Sequence, residues 1–229
     1  MPATDSVGKR IARGISPVVN AQAAGGVLRR VLELAIDGYG KLPGAKAAAA
    51  RQFQNHGGSV DGAVDGIVDF HVRLASAQGF VTNLGGIGVL PVSLPANLAG
   101  VAMVQIRMVA AIAHLRGYDL ADNNVRTALV MCLLGEDRIT RQIAEGRLPT
   151  SPMAVATAPM FDPDLDKRVA EEVVGDLAGR IGGKNLALAV TKRVPLVGGG
   201  IGAVVDGLAT AEVGRYAKSE LVRRRALVG

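Results

Sequence analysis

From Leu74 to Ile106 the chain runs for thirty-three residues without an Asp, Glu, Lys or Arg, and Pro91 and Pro95 stand inside that run. Roughly 20 apolar residues are enough to cross a bilayer as one helix. Two prolines four apart each remove a backbone donor and push the preceding residue out of the helical region, so the run reads as two pieces. Thr82 and Asn83 are placed to cap a short helix from Leu84 to Leu90, which carries Gly85 and Gly86, and Ser93 or Leu94 leads into a longer one. The expected element is a proline-broken apolar helical hairpin. It can lie in the core, dip into one leaflet, or pack against a copy of itself. A spanning hairpin normally has aromatic anchors, whereas this chain has no Trp and only Phe80 close to the run, which favours peripheral contact or self-assembly. Asn83, Asn97, Gln105 and Arg107 are the polar groups in or beside the run, and each needs a partner if buried.

The 229 residues suffice for a real core in one all-helical domain. Hydrophobic residues make up 49% and aromatics only 3%, so the apolar mass is Ala, Val, Leu and Ile, which favours close helix packing. The net charge of +6 gathers in the tail at Arg215, Lys218 and Arg223 to Arg225, where cations suit a helix C-terminus. A single cysteine, Cys132, has no internal disulfide partner and sits in an apolar stretch, so it reads as a small buried residue. Lys9, Arg10 and Arg13 precede Pro17 without the apolar core of a signal peptide. The expectation is a flexible N-terminal arm over 1–16, a single α-helical domain over 17–229, and a cytoplasmic protein, peripheral at the inner face of the membrane if it meets lipid.

Periodicity predicts the helices. Val27, Leu28, Val31, Leu32 and Ala35 share one side of an amphipathic helix over 18–37, stopped near Gly38. A turn at Leu42-Pro43-Gly44 and an alanine-rich helix over 45–55 follow. Ser59 caps a third helix to about Ala77 with Val60, Val64, Ile67, His71 and Leu74 as its buried stripe. Asn97 to Arg116 reads as a helix closed by Gly117, and Asp119 or Asp122 caps the next, which ends at Gly135. The four prolines of 147–163 mark a loop. A helix from Leu165 places Val169, Val173, Leu177 and Ile181 at steps of four, and a last helix follows the glycine run after Pro195. No alternating strand pattern occurs, so the fold class is all-α, a compact multi-helix bundle with glycine-faced helices.

Gly58, Gly62 and Gly66 stand four apart, as do Gly175, Gly179 and Gly183, and Gly198 and Gly202 repeat the spacing. Glycine inside a helix costs about 0.5–1 kcal/mol relative to alanine, so registered glycines need a compensating gain. Close packing of small faces supplies it, either within the domain or against another subunit or membrane-embedded helix. Gly175 and Gly179 fall opposite Val173 and Leu177, leaving a flat face for a second helix.

The chemistry of ordinary enzymes is missing. Gly198 to Ala203 fits a loose dinucleotide pattern with no strand before it, and Gly182-Gly183-Lys184-Asn185 lacks the first glycine and the metal-binding hydroxyl of a phosphate loop. Asp162, Asp164 and Asp166 have Lys167 and Val173 where a calcium loop needs glycine and glutamate, and read as helix-start carboxylates. His56, His71 and His114 have no metal spacing, and His71 reads as a satisfied core histidine. Asp61, Asp65 and Asp69 form a solvated face. The dispersed Phe and Tyr give no stacking platform, so no specific nucleic-acid partner is expected. No metal, cofactor or catalytic set is assigned.

The blocks Gly79-Phe80-Val81-Thr82-Asn83-Leu84-Gly85-Gly86, Leu94-Pro95-Ala96-Asn97-Leu98, Gln105-Ile106-Arg107 and Gly117-Tyr118-Asp119-Leu120 resemble the EcsC protein family. So do Thr191 to Gly199, Val205-Asp206 and Gly214-Arg215-Tyr216-Ala217, and the likeness spans most of 37–218. The resemblance implies a helical bacterial protein, in a family named for its association with an ABC-transporter operon, and brings no catalytic residues.

The functional expectation is a non-enzymatic, self-associating protein that presents apolar surface to a membrane or to apolar partners. A closed homo-oligomer such as a ring or shell, with a structural or compartment role, is the alternative. A hydrolase or transferase site around Arg107, Tyr118 and Asp119 is the remaining one.

Overall fold

The C-terminal end of the uncharged run folds into the innermost helix of the molecule. This helix spans Ala96–Leu115, and from Ala99 to Ala113 every residue but Val101 is buried. A helix that is apolar all round must be covered all round. Four other helices do most of the covering, and a fifth touches its end. No helix among the described residues is long and apolar enough to cross a membrane.

The protein is seen here as a computed structural model that describes residues 21–40, 42–77, 96–191 and 198–224. Its regular elements in chain order are α1 (Ala21–Asp37), β1 (Gly38–Tyr39), β2 (Leu42–Pro43), α2 (Ala45–Asn55), α3 (Val60–Ser76) and α4 (Ala96–Leu115). Then come α5 (Asn123–Met131), which continues into a 3-10 turn at Cys132–Leu134, α6 (Glu136–Ala144), α7 (Pro152–Ala156), α8 (Pro163–Thr191) and α9 (Gly198–Glu220). The all-α class stands. The proline-broken hairpin, with Asn83, Gly85, Gly86, Pro91 and Pro95, lies outside the described residues, as does the N-terminal arm.

Local chemistry explains most helix ends. Ser59 Oγ accepts the Gly62 amide at 3.2 Å and starts α3, and Asp122 accepts the Asn124 amide at 2.7 Å and starts α5. At the end of α4, Gly117 takes φ +84°, the Tyr118 amide reaches the Ala113 carbonyl at 3.0 Å and the Gly117 amide reaches His114 at 3.1 Å. This left-handed glycine closure satisfies carbonyls that the last turn leaves open. The same closure ends α2 at Gly57, where the Gly58 amide bonds the Phe53 carbonyl at 2.9 Å.

Three expectations require correction. The turn expected at Leu42-Pro43-Gly44 is a two-residue antiparallel ladder, Gly38 opposite Pro43 and Tyr39 opposite Leu42, too short to leave an alternating pattern. The stretch 147–163 is not all loop, because Pro152 takes the first position of α7, where its missing N–H is harmless. Gly58 does not line a helix face: it sits in the turn before Ser59 with φ +84°. The helix α6 has no counterpart among the sequence expectations. It meets α8 through Arg138 to Asp176 at 2.7 Å and through Gln142 to Glu172, which Arg147, just beyond its end, also reaches.

α3, α4 and α9 form the tightest layer. A Cβ on Gly207 would collide with Ser76 Oγ, one on Gly214 would sit 2.9 Å from Val68 Cγ1, and Lys218 pairs with Asp65. These three points run in opposite order along the two chains, so α9 lies antiparallel to α3. It lies parallel to α4, since Gln105 meets Thr210 while Arg116 donates to the carbonyls of Lys218 and Leu221. The Tyr118 hydroxyl donates to the Val222 carbonyl at 3.0 Å and the Arg224 amide to the Arg116 carbonyl at 2.9 Å, so the end of α9 is fastened to the end of α4.

Gly214 is therefore required by packing. Gly214→Val is expected to lower unfolding free energy by about 1–3 kcal/mol through overpacking against Val68 and Met108, read as a lower denaturant midpoint with an unchanged m-value.

Candidate functional site

Two residues marked in the sequence find partners in the interior, Arg107 in His71 and Gln105 in Thr210. His71 is 1% exposed, Arg107 3% and Gln105 0%. They stand at one level of the α3, α4 and α9 layer and make a buried polar stratum across an otherwise apolar interior. His71 Nδ1 lies 2.7 Å from the Ile67 carbonyl and therefore carries the proton. Its Nε2 is left to accept from Arg107 Nη1 at 3.3 Å. Arg107 Nε donates to the Pro43 carbonyl at 2.7 Å, and the guanidinium carbon lies 5.8 Å from the centre of the Phe70 ring. Phe70 in turn meets His71 edge-on, with centroids 5.2 Å apart. On the α9 side, Gln105 Nε2 donates to Thr210 Oγ1 at 3.3 Å, and Gln105 Oε1 has no partner among the described residues.

The electrostatics follow from burial. Removal from water pushes the His71 imidazole down to about 4, the Ile67 bond opposes this, and the Arg107 charge adds to it. Burial also lowers Arg107 to about 10, so it stays cationic at neutral pH. The pair is thus a neutral histidine donated to by a permanent cation. This arrangement binds the β-ladder to the core and offers no general base at neutral pH.

The stratum divides the layer into two unlike ends. Beyond it, α3 contributes only Arg73, α4 contributes no charge, and α9 contributes only Asp206. On the other side stand Asp61, Asp65 and Asp69 on α3 with Glu212, Arg215, Lys218 and Glu220 on α9. The charge-poor ends of the three helices, with Arg73 and Asp206 as their charges, converge because α3 runs antiparallel to its two neighbours. Leu208, 66% exposed, and Val205, 40% exposed, lie on the α9 part of that end. The residues between Ser76 and Ala96 leave and re-enter the layer there.

The marked glycines separate into different roles. A Cβ on Gly62 would come within 3.4 Å of His56, and one on Gly66 would collide with the His56 ring and stand 2.7 Å from Gln52 Oε1, so both let α2 close on α3. Gly175 and Gly179 meet nothing within 4 Å, while Val173 and Leu177 on the opposite side are buried. The second helix expected on that face is absent among the described residues. Gly183 lies within α8 and Gly198 and Gly202 within α9; their surroundings, like the side chain of Asn97 in α4, are outside the description. Gly207 and Thr210 escaped the sequence reading, and Gly214 entered it only through the family resemblance, although a step of seven puts both glycines on one helix face.

The residues named for a hydrolase or transferase site lie apart. Arg107 and Leu115 are eight residues apart on one helix, about 12 Å of rise, and Tyr118 and Asp119 lie further on. Arg107 is engaged with Pro43 and His71, Tyr118 with Val222, and Asp119 with the Ala121 amide of its own turn. Cys132 is buried, and burial pushes its thiol up, away from the reactive thiolate. No group of three or more His, Cys, Asp or Glu suited to a metal exists among the described residues.

His71 makes stability pH-dependent. Its folded pKa is below its unfolded one, so between them the unfolded chain binds the extra proton and stability falls as pH falls. The loss begins near pH 6.5 and is complete near pH 4, at most about 3 kcal/mol by the 1.36 kcal/mol per unit conversion. Urea titrations of wild type and His71→Asn across this range are expected to show a shallower acid slope in the variant above pH 5.

Comparison of the chain with family models, curated proteins and solved structures finds no match in any of the three.

Proposed function

We propose that this chain is a non-enzymatic, self-associating α-helical protein of the EcsC type that turns a charge-poor apolar end toward a membrane surface or an apolar partner. The observation that carries the reading is the convergence of the charge-poor ends of α3, α4 and α9, which hold only Arg73 and Asp206, with Val205 and Leu208 exposed and the uncharged 77–95 connection leaving from the same end. Exposed Val205 and Leu208 at an end with few charges, while most charges of the layer stand at the other, suit adsorption to an interface more than free solution. Such a protein works in the cytoplasm, peripheral at the inner face of the membrane, without a cofactor and without a specific nucleic-acid partner.

A closed homo-oligomer is the second reading, supported by the glycine face of α8. Gly175 and Gly179 are exposed and meet open space, so nothing among the described residues uses their small size. A second copy of the chain gives that face a use, because small residues allow two helix backbones to approach closely.

Flotation with vesicles of anionic phospholipid separates these readings from a free monomer. Wild type is expected to float, and Leu208→Glu to lower the bound fraction by about tenfold or more, from losing the roughly 1.5–3 kcal/mol of one buried leucine. Light scattering after size exclusion, without lipid, is expected to give a discrete assembly whose mass falls in Gly179→Leu. A monomer that stays wholly in the lipid-free fraction overturns both readings.

A further inference from the structure

Away from the α3, α4 and α9 layer, a cleft of about 640 Å³ opens where α1, α5 and the start of α8 meet. Its size is that of a small-molecule site. Leu28 and Leu32 of α1, Val130 of α5 and Ala170 of α8 supply apolar lining, with Phe161, 40% exposed, also on its wall. Arg29, Arg126 and Lys167 line the same space against one carboxylate, Asp166.

The charges there are not balanced. Asp166 is already occupied: its Oδ2 takes Arg29 at 3.2 Å and its Oδ1 accepts the Thr127 hydroxyl at 2.7 Å. Arg126 bonds the Leu120 carbonyl through Nε at 3.0 Å and has no carboxylate partner among the described residues, and Lys167 has no ion pair among them. Asp122 and Asp162 are used as helix caps, and Asp164 and Glu171, three and four residues from Lys167, do not line the cleft. The first turns of α5 and α8 both border the cleft, so the positive ends of two helix dipoles add to the two cations.

Gly25 and Gly26 give the second, independent pointer. Adjacent glycines weaken the middle of α1, since glycine is the poorest helix former after proline. Packing among the described residues does not require them: a Cβ on Gly26 would meet nothing within 4 Å, and one on Gly25 only the Ala170 methyl at 3.9 Å. Both line the cleft, and side chains there would occupy it. Their effect is to keep the space open. The chain's own first twenty residues are a poor occupant, because they carry Lys9, Arg10 and Arg13 against Asp5 alone.

We infer that this cleft binds a single-chain anionic amphiphile, with its apolar body against Leu28, Leu32 and Phe161 and its acidic head toward Arg126 and Lys167. The site does not depend on the membrane reading, since it lies on a different set of helices and works in one chain. Titration calorimetry on the full chain, below micelle-forming concentrations, tests it with dodecanoate, dodecyltrimethylammonium and inorganic phosphate. Dodecanoate is expected to bind saturably at one per chain and the cationic analogue not to bind. Lys167→Gln, which removes no contact among the described residues, is expected to weaken dodecanoate by about fivefold. Gly26→Leu is expected to abolish binding while the helix signal and thermal midpoint hold or rise. Absence of saturable dodecanoate binding, equal binding of the cationic analogue, phosphate binding as tight as dodecanoate, or wild-type affinity in folded Gly26→Leu would each overturn the assignment. Vesicle flotation is expected to be the same in Gly26→Leu and wild type, so failure here and failure of the membrane reading are read separately.

Discussion

Enclosure of α4 is the constraint to which the rest of the molecule answers. A helix with almost no polar side cannot rest on the surface of a bundle, so its neighbours must come at it from every direction. α1, α2, α3 and α9 do so, and α5 reaches its end. The order of the chain then has a reason: the short ladder at Gly38 to Pro43 reverses the path so that α2 can lie beside α4 as α1 does. The three-helix layer uses glycine at Gly207 and Gly214 because α9 has to fit against α3 and α4 at once. Helix propensity is given up at those two points in exchange for backbone proximity.

Arg107 is the one full charge that α4 carries inside this enclosure. It is tolerated because its donors are used: a backbone carbonyl from the ladder, the imidazole of His71, and the face of Phe70. The histidine must stay neutral for this to work, and its environment keeps it so. Polar specificity and apolar enclosure thus meet at one level, and the change in character of the layer on either side of that level is what gives the molecule its charge-poor end.

Much of the fold was legible because it is written in local chemistry. Ser59, Asp122 and Gly117 announce helix ends through a hydroxyl, a carboxylate and a left-handed backbone, none of which needs a distant partner. The stripe Val64, Ile67 and His71 is likewise a matter of spacing along one helix, and those three are buried. α6 is amphipathic but was not legible, because its nine residues offer only Ile139 and Ile143 as an apolar stripe and its third inward position is the polar Gln142, whose partner Glu172 is thirty residues away. The site was half legible. Gln105 and Arg107 are conspicuous as polar residues in apolar surroundings, but that Arg107 finds His71, 36 positions earlier, is decided by the antiparallel course of α3 and α4. The glycine spacing marked residues that turn out to serve unlike ends: Gly66 admits His56, Gly58 makes a turn, and Gly175 faces open space. Spacing alone cannot distinguish these, because what differs is the neighbour and not the helix.

The fastening of α9 to the end of α4 has a consequence in time. Arg116 and the carbonyls it holds at Lys218 and Leu221 are separated by more than a hundred residues, so the contact closes the C-terminal half of the chain into a loop. Loop closure of that length is entropically unfavourable before other contacts form, and domains emerge from synthesis N-terminal end first. The most apolar helix of the protein therefore keeps one open flank, along Gln105 and Met108, until α9 has been made and laid down. During that interval the nascent chain displays the surface that the finished fold conceals, and its vulnerability to aggregation is set by the arrival of its last helix.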